Sequence, residues 1–166
     1  SAAQVSLTDI AGVWSAAKLS DGSAPAGVGT SSMAWGVPAS GNTKSGYTFT
    51  AGAPATDLVQ DTPFSFGLFS HENFPIFGSS LVTAELSLTF SLLVDGVANS
   101  LDATFKFKHT ETPNIGGGNC CNDLVQFLTG DVVFDEIDIG GVKYTFKLDG
   151  FVGADNKLVS LFSTEE

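Results

Sequence analysis

The strongest constraint on the fold is a long segment, residues 81–94, in which apolar and polar side chains alternate. Successive side chains of a β-strand point to opposite faces, so this period of two predicts a strand with one face in the core and one in water. The apolar set is Val82, Ala84, Leu86, Leu88, Phe90, Leu92 and Val94, and the polar set is Thr83, Glu85, Ser87, Thr89 and Ser91.

Two turn signals predict β-hairpins. Asp95-Gly96 follows the long strand, and the chain then alternates again through Ala103, Phe105, Phe107 and His109. Asp-Gly and Gly-Gly pairs accept the positive φ angles of two-residue turns, so both Asp95-Gly96 and Gly140-Gly141 are typical of hairpins.

Pairing across Gly140-Gly141 fixes the register of the second hairpin. The expected pairs are Ile139 with Val142 and Ile137 with Tyr144 on the inner face, and Asp138 with Lys143 on the outer face. The same register, extended, would turn Asp135 inward opposite Phe146. This mismatch predicts a β-bulge near Asp135 and Glu136, the alternative being a buried carboxylate.

The whole chain is expected to form one domain, 1–166, with an all-β fold. Phe is frequent, at 14 of 166 residues, and no segment has the 3.6-residue period of an amphipathic helix. About ten short strands joined by turns predict an antiparallel two-sheet β-sandwich, like a jelly roll. Residues 1–9 are expected to form an N-terminal arm or an edge strand.

The charge balance argues against nucleic-acid binding. The sequence has seven lysines, no arginine and 18 acidic residues. The resulting formal net charge of −11 repels phosphate backbones. The sequence has no run of about 20 apolar residues, so no membrane span is predicted. The first residues, Ser-Ala-Ala-Gln, are typical of the mature side of a signal-peptidase cut or of a truncated sequence, and we expect a secreted or cell-surface protein.

No set of residues predicts an enzyme. The chain has no Gly-x-Ser-x-Gly nucleophile motif, and the Pro-Cys-x-x-Cys pattern of zinc deaminases is absent. Pro75 stands where a helical zinc-protease motif starting at His71 would need its second histidine. His71 and Asn73 are candidates to ligate a metal or hold a ligand; the alternative is that they bond to the backbone of a strand-to-turn corner.

The loop around residues 110–122 is a candidate calcium site. Glu111, Asn114, Asn119 and Asp123 offer the hard oxygen ligands that calcium prefers, although acidic residues often serve only as solvated surface. The chain's two cysteines, Cys120 and Cys121, are adjacent. They are candidates for a vicinal disulfide, for free thiols, or for metal or intermolecular bonds.

Short motifs follow one another along most of the chain. They are Trp35-Gly36-x-Pro38, Ser45-Gly46-Tyr47-x-Phe49, the segment 63–76, Glu111-Thr112-Pro113-Asn114, Cys121-Asn122-Asp123-Leu124-Val125 and Tyr144-Thr145-Phe146-x-Leu148-x-Gly150-Phe151. In order and spacing this series resembles the THxN and choice-of-anchor K families of exported bacterial proteins, whose members typically end in a sorting or anchoring tail such as PEP-CTERM. At the Thr-His-x-Asn motif that gives the first family its name, Ser70 replaces the Thr and is followed by His71-Glu72-Asn73. The resemblance implies a ligand-binding or structural motif at Ser70, His71, Asn73, Glu111 and Asn114, and a role at the cell surface or in the extracellular matrix.

Two functional hypotheses follow. The first is a non-catalytic structural or interaction module that binds itself or other envelope and matrix components, with self-assembly by addition of an N-terminal strand as one variant. The alternative is a carbohydrate-binding module, calcium-dependent in one form, in which Trp14, Trp35 or Tyr47 stacks on sugars. Against the second hypothesis, these three rings are also typical core residues.

Overall fold

The computed structural model describes residues 4–113, 121–130, 132–139, 141–155 and 157–165. Within these ranges the chain is all-β, as predicted, and its pairings are antiparallel. The described residues form sixteen strands where about ten were expected for the chain, and six of the sixteen (β3, β6, β10, β13, β14 and β15) contain only two residues. The strands are β1 (Val5–Leu19), β2 (Ser32–Trp35), β3 (Val37–Pro38), β4 (Ser45–Ala51), β5 (Gly67–Glu72), β6 (Ile76–Phe77), β7 (Leu81–Val94), β8 (Val97–Thr110), β9 (Asp123–Phe127), β10 (Val132–Val133), β11 (Ile137–Ile139), β12 (Val142–Tyr144), β13 (Lys147–Leu148), β14 (Phe151–Val152), β15 (Leu158–Val159) and β16 (Leu161–Thr164).

Two sheets face each other across an aromatic core. The larger has the order β1-β7-β8-β9-β16 and the smaller has the order β2-β4-β5. Trp14 on β1 lies 5.2 Å from Tyr47 on β4, and Phe69 on β5 lies 5.4 Å from Phe107 on β8, measured between ring centroids. These contacts between the sheets are those of a β-sandwich. The remaining pairs are β3-β6, β10-β13, β11-β12 and β14-β15.

Strand β7 confirms the predicted alternation except at its first two residues, Leu81 and Val82. Leu81 is 1% exposed, whereas Val82, expected inside, is 39% exposed. The pairing with β1 moves from Lys18↔Thr83 to Leu19↔Leu81, so Val82 is an extra residue in a bulge. A bulge reverses the in-and-out phase of the side chains beyond it, which brings Leu81 into the core instead.

Both predicted hairpins are present. At the first, Val94 pairs with Val97, and Asp95 and Gly96 have φ angles of 48° and 83°. Along β8 the inward side chains are Ala103, Phe105, Phe107 and His109, all buried.

The second hairpin has the predicted pairs, and Gly140 lies outside the described residues. Past its base, Phe134 N donates to Phe146 O at 3.0 Å and Val133 pairs with Lys147, a register shifted by one residue. The predicted irregularity near Asp135 is therefore confirmed, and Asp135 is exposed. Val142, expected inside, is 53% exposed, because β11 and β12 form a separate two-stranded sheet instead of continuing a core strand.

Of the expected arm or edge strand, residues 1–9, residues 5–9 belong to the edge strand β1 and residues 1–3 lie outside the described residues. Leu7 is fully buried and pairs with Leu92 of β7. On the other side of β1, Leu7 exchanges two backbone hydrogen bonds with Ala55, of 2.7 and 2.9 Å. Among the described residues, no helix is long and apolar enough to cross a membrane.

Candidate metal centre

Two histidines and two carboxylates from both sheets meet inside the sandwich. His71 lies on β5, His109 on β8 and Asp123 at the start of β9, and Glu111 directly follows β8. The pairing Thr110↔Leu124 places the end of β8 beside the start of β9, and the facing strand β5 supplies His71. We call His71, His109, Glu111 and Asp123 the His–carboxylate cluster.

The reactive atoms of the cluster are close together. His109 Nε2 lies 3.3 Å from Asp123 Oδ2 and 3.2 Å from Glu111 Oε2. His71 Nε2 lies 3.9 Å from the same Asp123 oxygen, and one ligand atom from each of His71, His109 and Asp123 falls within 4.8 Å of the others. The side chains of these three residues have no solvent exposure, and that of Glu111 is 15% exposed.

Neighbouring groups hold the opposite sides of His71, His109 and Asp123. The Tyr47 hydroxyl is 2.6 Å from His109 Nδ1, and His71 Nδ1 is 3.0 Å from Thr164 Oγ1. Asp123 Oδ1 accepts a hydrogen bond of 2.9 Å from the backbone N–H of Thr112. Partners of this kind fix ring orientation and leave the second polar atom of each residue directed into the cluster.

Two atoms that face each other in the cluster, His71 Nε2 and Asp123 Oδ2, are buried and have no hydrogen bond. The buried Glu111 Oε1 has none either; the Glu111 oxygen that lies 3.2 Å from His109 Nε2 is Oε2. An unsatisfied buried polar group costs about 1–3 kcal/mol, and more if it is charged, so folded proteins rarely keep three together. Their convergence therefore requires an explanation in terms of something that they bind.

The electrostatics follow from burial. Burial, reinforced by the neighbouring His109, lowers the pKa of His71 to about 3, so its imidazole is neutral at pH 7. Burial also raises the pKa of Glu111, and the Asp123 charge adds to this effect. Burial alone would lower the pKa of His109, but its contacts with Asp123 and Glu111 outweigh that and raise it. Burial raises the pKa of Tyr47 well above its ordinary value, which keeps the phenol protonated.

Aromatic rings enclose the cluster. Trp35, only 2% exposed, stacks on His71 with ring centroids 5.9 Å apart and meets His109 edge-on at 5.3 Å. Tyr47 lies 5.2 Å from His71 and 5.5 Å from His109. The apolar surroundings reduce the local dielectric constant and strengthen any interaction between the cluster and a cation.

The other predicted site residues have varied positions. Asn73 is buried, and its Nδ2 donates to Thr164 O at 2.8 Å. It therefore bonds to the backbone of the distant strand β16 and not to the backbone of the strand-to-turn corner in which it lies. Ser70 lies outside the cluster and donates to Glu72 Oε1. Cys121 is disulfide-bonded, and the chain's other cysteine, Cys120, lies outside the described residues together with Asn114 and Asn119.

The expected calcium ligands are therefore seen only in part. Glu111 and Asp123 do lie close together, but they share their surroundings with two imidazoles. Imidazole nitrogen suits zinc and other transition metals, whereas calcium takes oxygen ligands. The sequence contained one signal for the His–carboxylate cluster. His109 continues the alternation of β8 at a position where the side chain points into the core.

The aromatic residues considered for sugar stacking fill the core. Trp14 and Tyr47 have no exposure, and Trp35 has 2%. The suggestion that these rings stack on carbohydrate is wrong, because all three pack between the sheets.

Comparisons with known protein families and with curated proteins gave no match. The resemblance to the THxN and choice-of-anchor K families therefore stays a prediction.

Proposed function

We propose that this chain is a non-catalytic structural or interaction domain of the bacterial cell surface or extracellular matrix. The observation that carries the proposal is the burial of both histidines of the chain, whose side chains have no solvent exposure. General acid–base or nucleophilic chemistry needs such groups within hydrogen-bond reach of a substrate. Aromatic rings cover these two instead.

The exposed surface favours a role in interactions. Leu124, Leu128 and Leu161 are 39%, 53% and 51% exposed, and the first and last lie on the adjacent strands β9 and β16. Exposed apolar side chains mark contact surfaces when they form one contiguous patch, and these leucines offer the start of one at the β9-β16 edge of the larger sheet. The net charge of −11 makes nucleic acid an unsuitable partner and leaves protein or envelope components as the expected ones.

The variant with self-assembly by an N-terminal strand has less support. To pair with a neighbour, residues 5–8 would have to leave both β7 and the Ala55 segment. That would expose Leu7, which is fully buried.

Histidine modification tests the observation behind the non-catalytic role. Diethyl pyrocarbonate should leave His71 and His109 unmodified in the native protein and modify both in urea, with mass spectrometry as the readout. Rapid modification of either histidine in the folded protein would reveal access that this proposal excludes.

Protease treatment of intact producing cells tests the location. With an antibody raised against the domain, we expect the protein in the surface or culture-supernatant fraction, where proteinase K removes it without cell lysis. A cytoplasmic protein of the same cells serves as the control for intactness. Recovery of the domain only inside protease-treated cells would contradict the proposal.

A further inference from the structure

We infer that the His–carboxylate cluster binds one divalent transition-metal ion, with zinc as the best fit, and that the ion holds the two sheets together. The ligands are His71 Nε2, His109 Nε2 and Asp123 Oδ2, with Glu111 as the fourth. This inference goes beyond the proposed function and does not depend on where the protein is located or on what it contacts.

The two shortest spacings between ligand atoms match tetrahedral coordination. Bonds of about 2.0–2.1 Å from zinc to nitrogen or oxygen place neighbouring ligand atoms about 3.4 Å apart. His109 Nε2 lies 3.3 Å from Asp123 Oδ2 and 3.2 Å from Glu111 Oε2. His71 Nε2, at 3.9 Å from Asp123 Oδ2, needs only a small movement to join them.

Hydrogen bonding among the residues themselves does not satisfy the cluster. If His71 Nδ1 carries the proton and donates it to Thr164 Oγ1, then His71 Nε2 is unprotonated, and its lone pair faces a carboxylate oxygen of Asp123. In the other tautomer, the proton on Nε2 would have to span 3.9 Å to Asp123 Oδ2, which is too far for a hydrogen bond. A cation between the two atoms fits the first tautomer, in which His71 Nε2 keeps its lone pair and Nδ1 donates to Thr164 Oγ1.

The charges agree with a divalent ion. Metal binding requires deprotonated ligands, so in the bound state the two imidazoles are neutral and the two carboxylates carry two negative charges. One divalent cation neutralises these charges inside the apolar enclosure. Two nitrogens and two carboxylate oxygens form a ligand set that zinc accepts.

The position of the ligands assigns the ion a structural role. His71 belongs to the three-stranded sheet, while His109 and Asp123 belong to adjacent strands of the five-stranded sheet. Catalytic zinc sites keep an open position for water and substrate, and structural sites are closed by protein ligands. The three ligand side chains without exposure correspond to the closed type.

The test uses the full chain without a histidine tag, stripped with a chelator and dialysed. Added zinc should bind at one equivalent by calorimetry and be retained through gel filtration, as measured by elemental analysis. At zinc concentrations about 100-fold above Kd, Tm should rise by about 5–10 °C, while the same concentration of calcium or magnesium should give no comparable rise. Cobalt should give the visible absorption bands of a tetrahedral site.

Two variants localise the site. His71→Phe keeps an aromatic ring against Trp35 but removes the ligand nitrogen, and Asp123→Asn removes a charged ligand. The matched control is Asp102→Asn, on an exposed position of β8. We expect both cluster variants to lose at least 100-fold in zinc affinity and the control to bind like the wild type.

The wild-type titration keeps the inference falsifiable if a cluster variant fails to fold. Failure of the stripped wild type to bind zinc or cobalt would overturn it. So would uptake by a folded His71→Phe variant with wild-type affinity, since the metal would then lie elsewhere. Neither result would affect the protease-accessibility test of cell-surface location.

Discussion

At the scale of single residues, Tyr47 connects the core to the cluster. Its ring is fully buried between the sheets, and its hydroxyl, 2.6 Å from His109 Nδ1, is the hydrogen-bond partner of that nitrogen. One side chain thus contributes both apolar packing and the orientation of a ligand ring.

Tyr47→Phe should lower the free energy of unfolding by about 1–3 kcal/mol, because His109 Nδ1 loses its partner in a buried setting. Urea denaturation followed by Trp fluorescence measures this. The chain's other tyrosine, the half-buried Tyr144, provides the control: Tyr144→Phe should stay within about 0.5 kcal/mol of the wild type. Equal losses in the two variants would show that the Tyr47 hydroxyl has no special role.

The sequence identified most members of the cluster but not their association. Three members are polar residues near strand ends: His71, Glu111 and Asp123. The fourth, His109, is a polar residue at an inward position of the alternating strand β8. Alternation reports which face of a strand a residue occupies; it does not report which strand of the opposite sheet lies across from it. The contact between His71 and Asp123 depends on that long-range packing.

At the scale of elements, the close approach of β1 to the smaller sheet depends on Gly12. This residue pairs with Leu88 of β7. A Cβ added there would lie 2.3 Å from Phe49 Cδ1 and 2.9 Å from Leu88 Cδ2, so the position has no room for a methyl group.

Gly12→Ala should therefore destabilise the protein by about 1–3 kcal/mol through overpacking. Gly130→Ala is the matched control, since a Cβ at position 130 meets no atom within 4 Å and its φ is not in the left-handed region. Thermal unfolding of the two variants compares them. A Gly12→Ala variant with the Tm of the control would mean that the two sheets are not packed as closely as described.

The long elements could be predicted from local pattern, and the short ones could not. Strands β7 and β8 repeat the two-residue period many times, and their Asp95-Gly96 turn has its own signal. The two-residue strands, such as β14 and β15, contain too few residues for any period to appear. The bulge at Val82 was missed because pairing with β1, and not the residues of β7, determines it.

At the scale of the whole molecule, aromatic contacts join the C-terminal strands to the main sandwich. Phe151 on β14 stacks on Phe127 of β9 with centroids 4.2 Å apart and also contacts Phe107 at 5.4 Å. Phe134 and Phe146 contact Phe90 of β7 at 5.6 and 5.5 Å. The segments around the β10-β13 and β14-β15 pairs therefore share the core of the two large sheets.

This shared core predicts one cooperative unfolding transition. Trp fluorescence, which reports on Trp14 and Trp35 in the sandwich, and far-ultraviolet circular dichroism, which reports on all strands, should give the same urea midpoint. Two separate midpoints would indicate that the C-terminal strands form an independent unit.

Anomalous diffraction at the zinc absorption edge tests most directly whether a metal ion in the His–carboxylate cluster joins the two sheets. Crystals of the untagged protein grown with zinc should show one strong peak about 2.0–2.1 Å from His71 Nε2, His109 Nε2 and an oxygen of Asp123. Data collected below the edge, where that peak should weaken sharply, identify the element. A map with no peak between these three side chains, or with zinc bound only at the surface, would contradict the account.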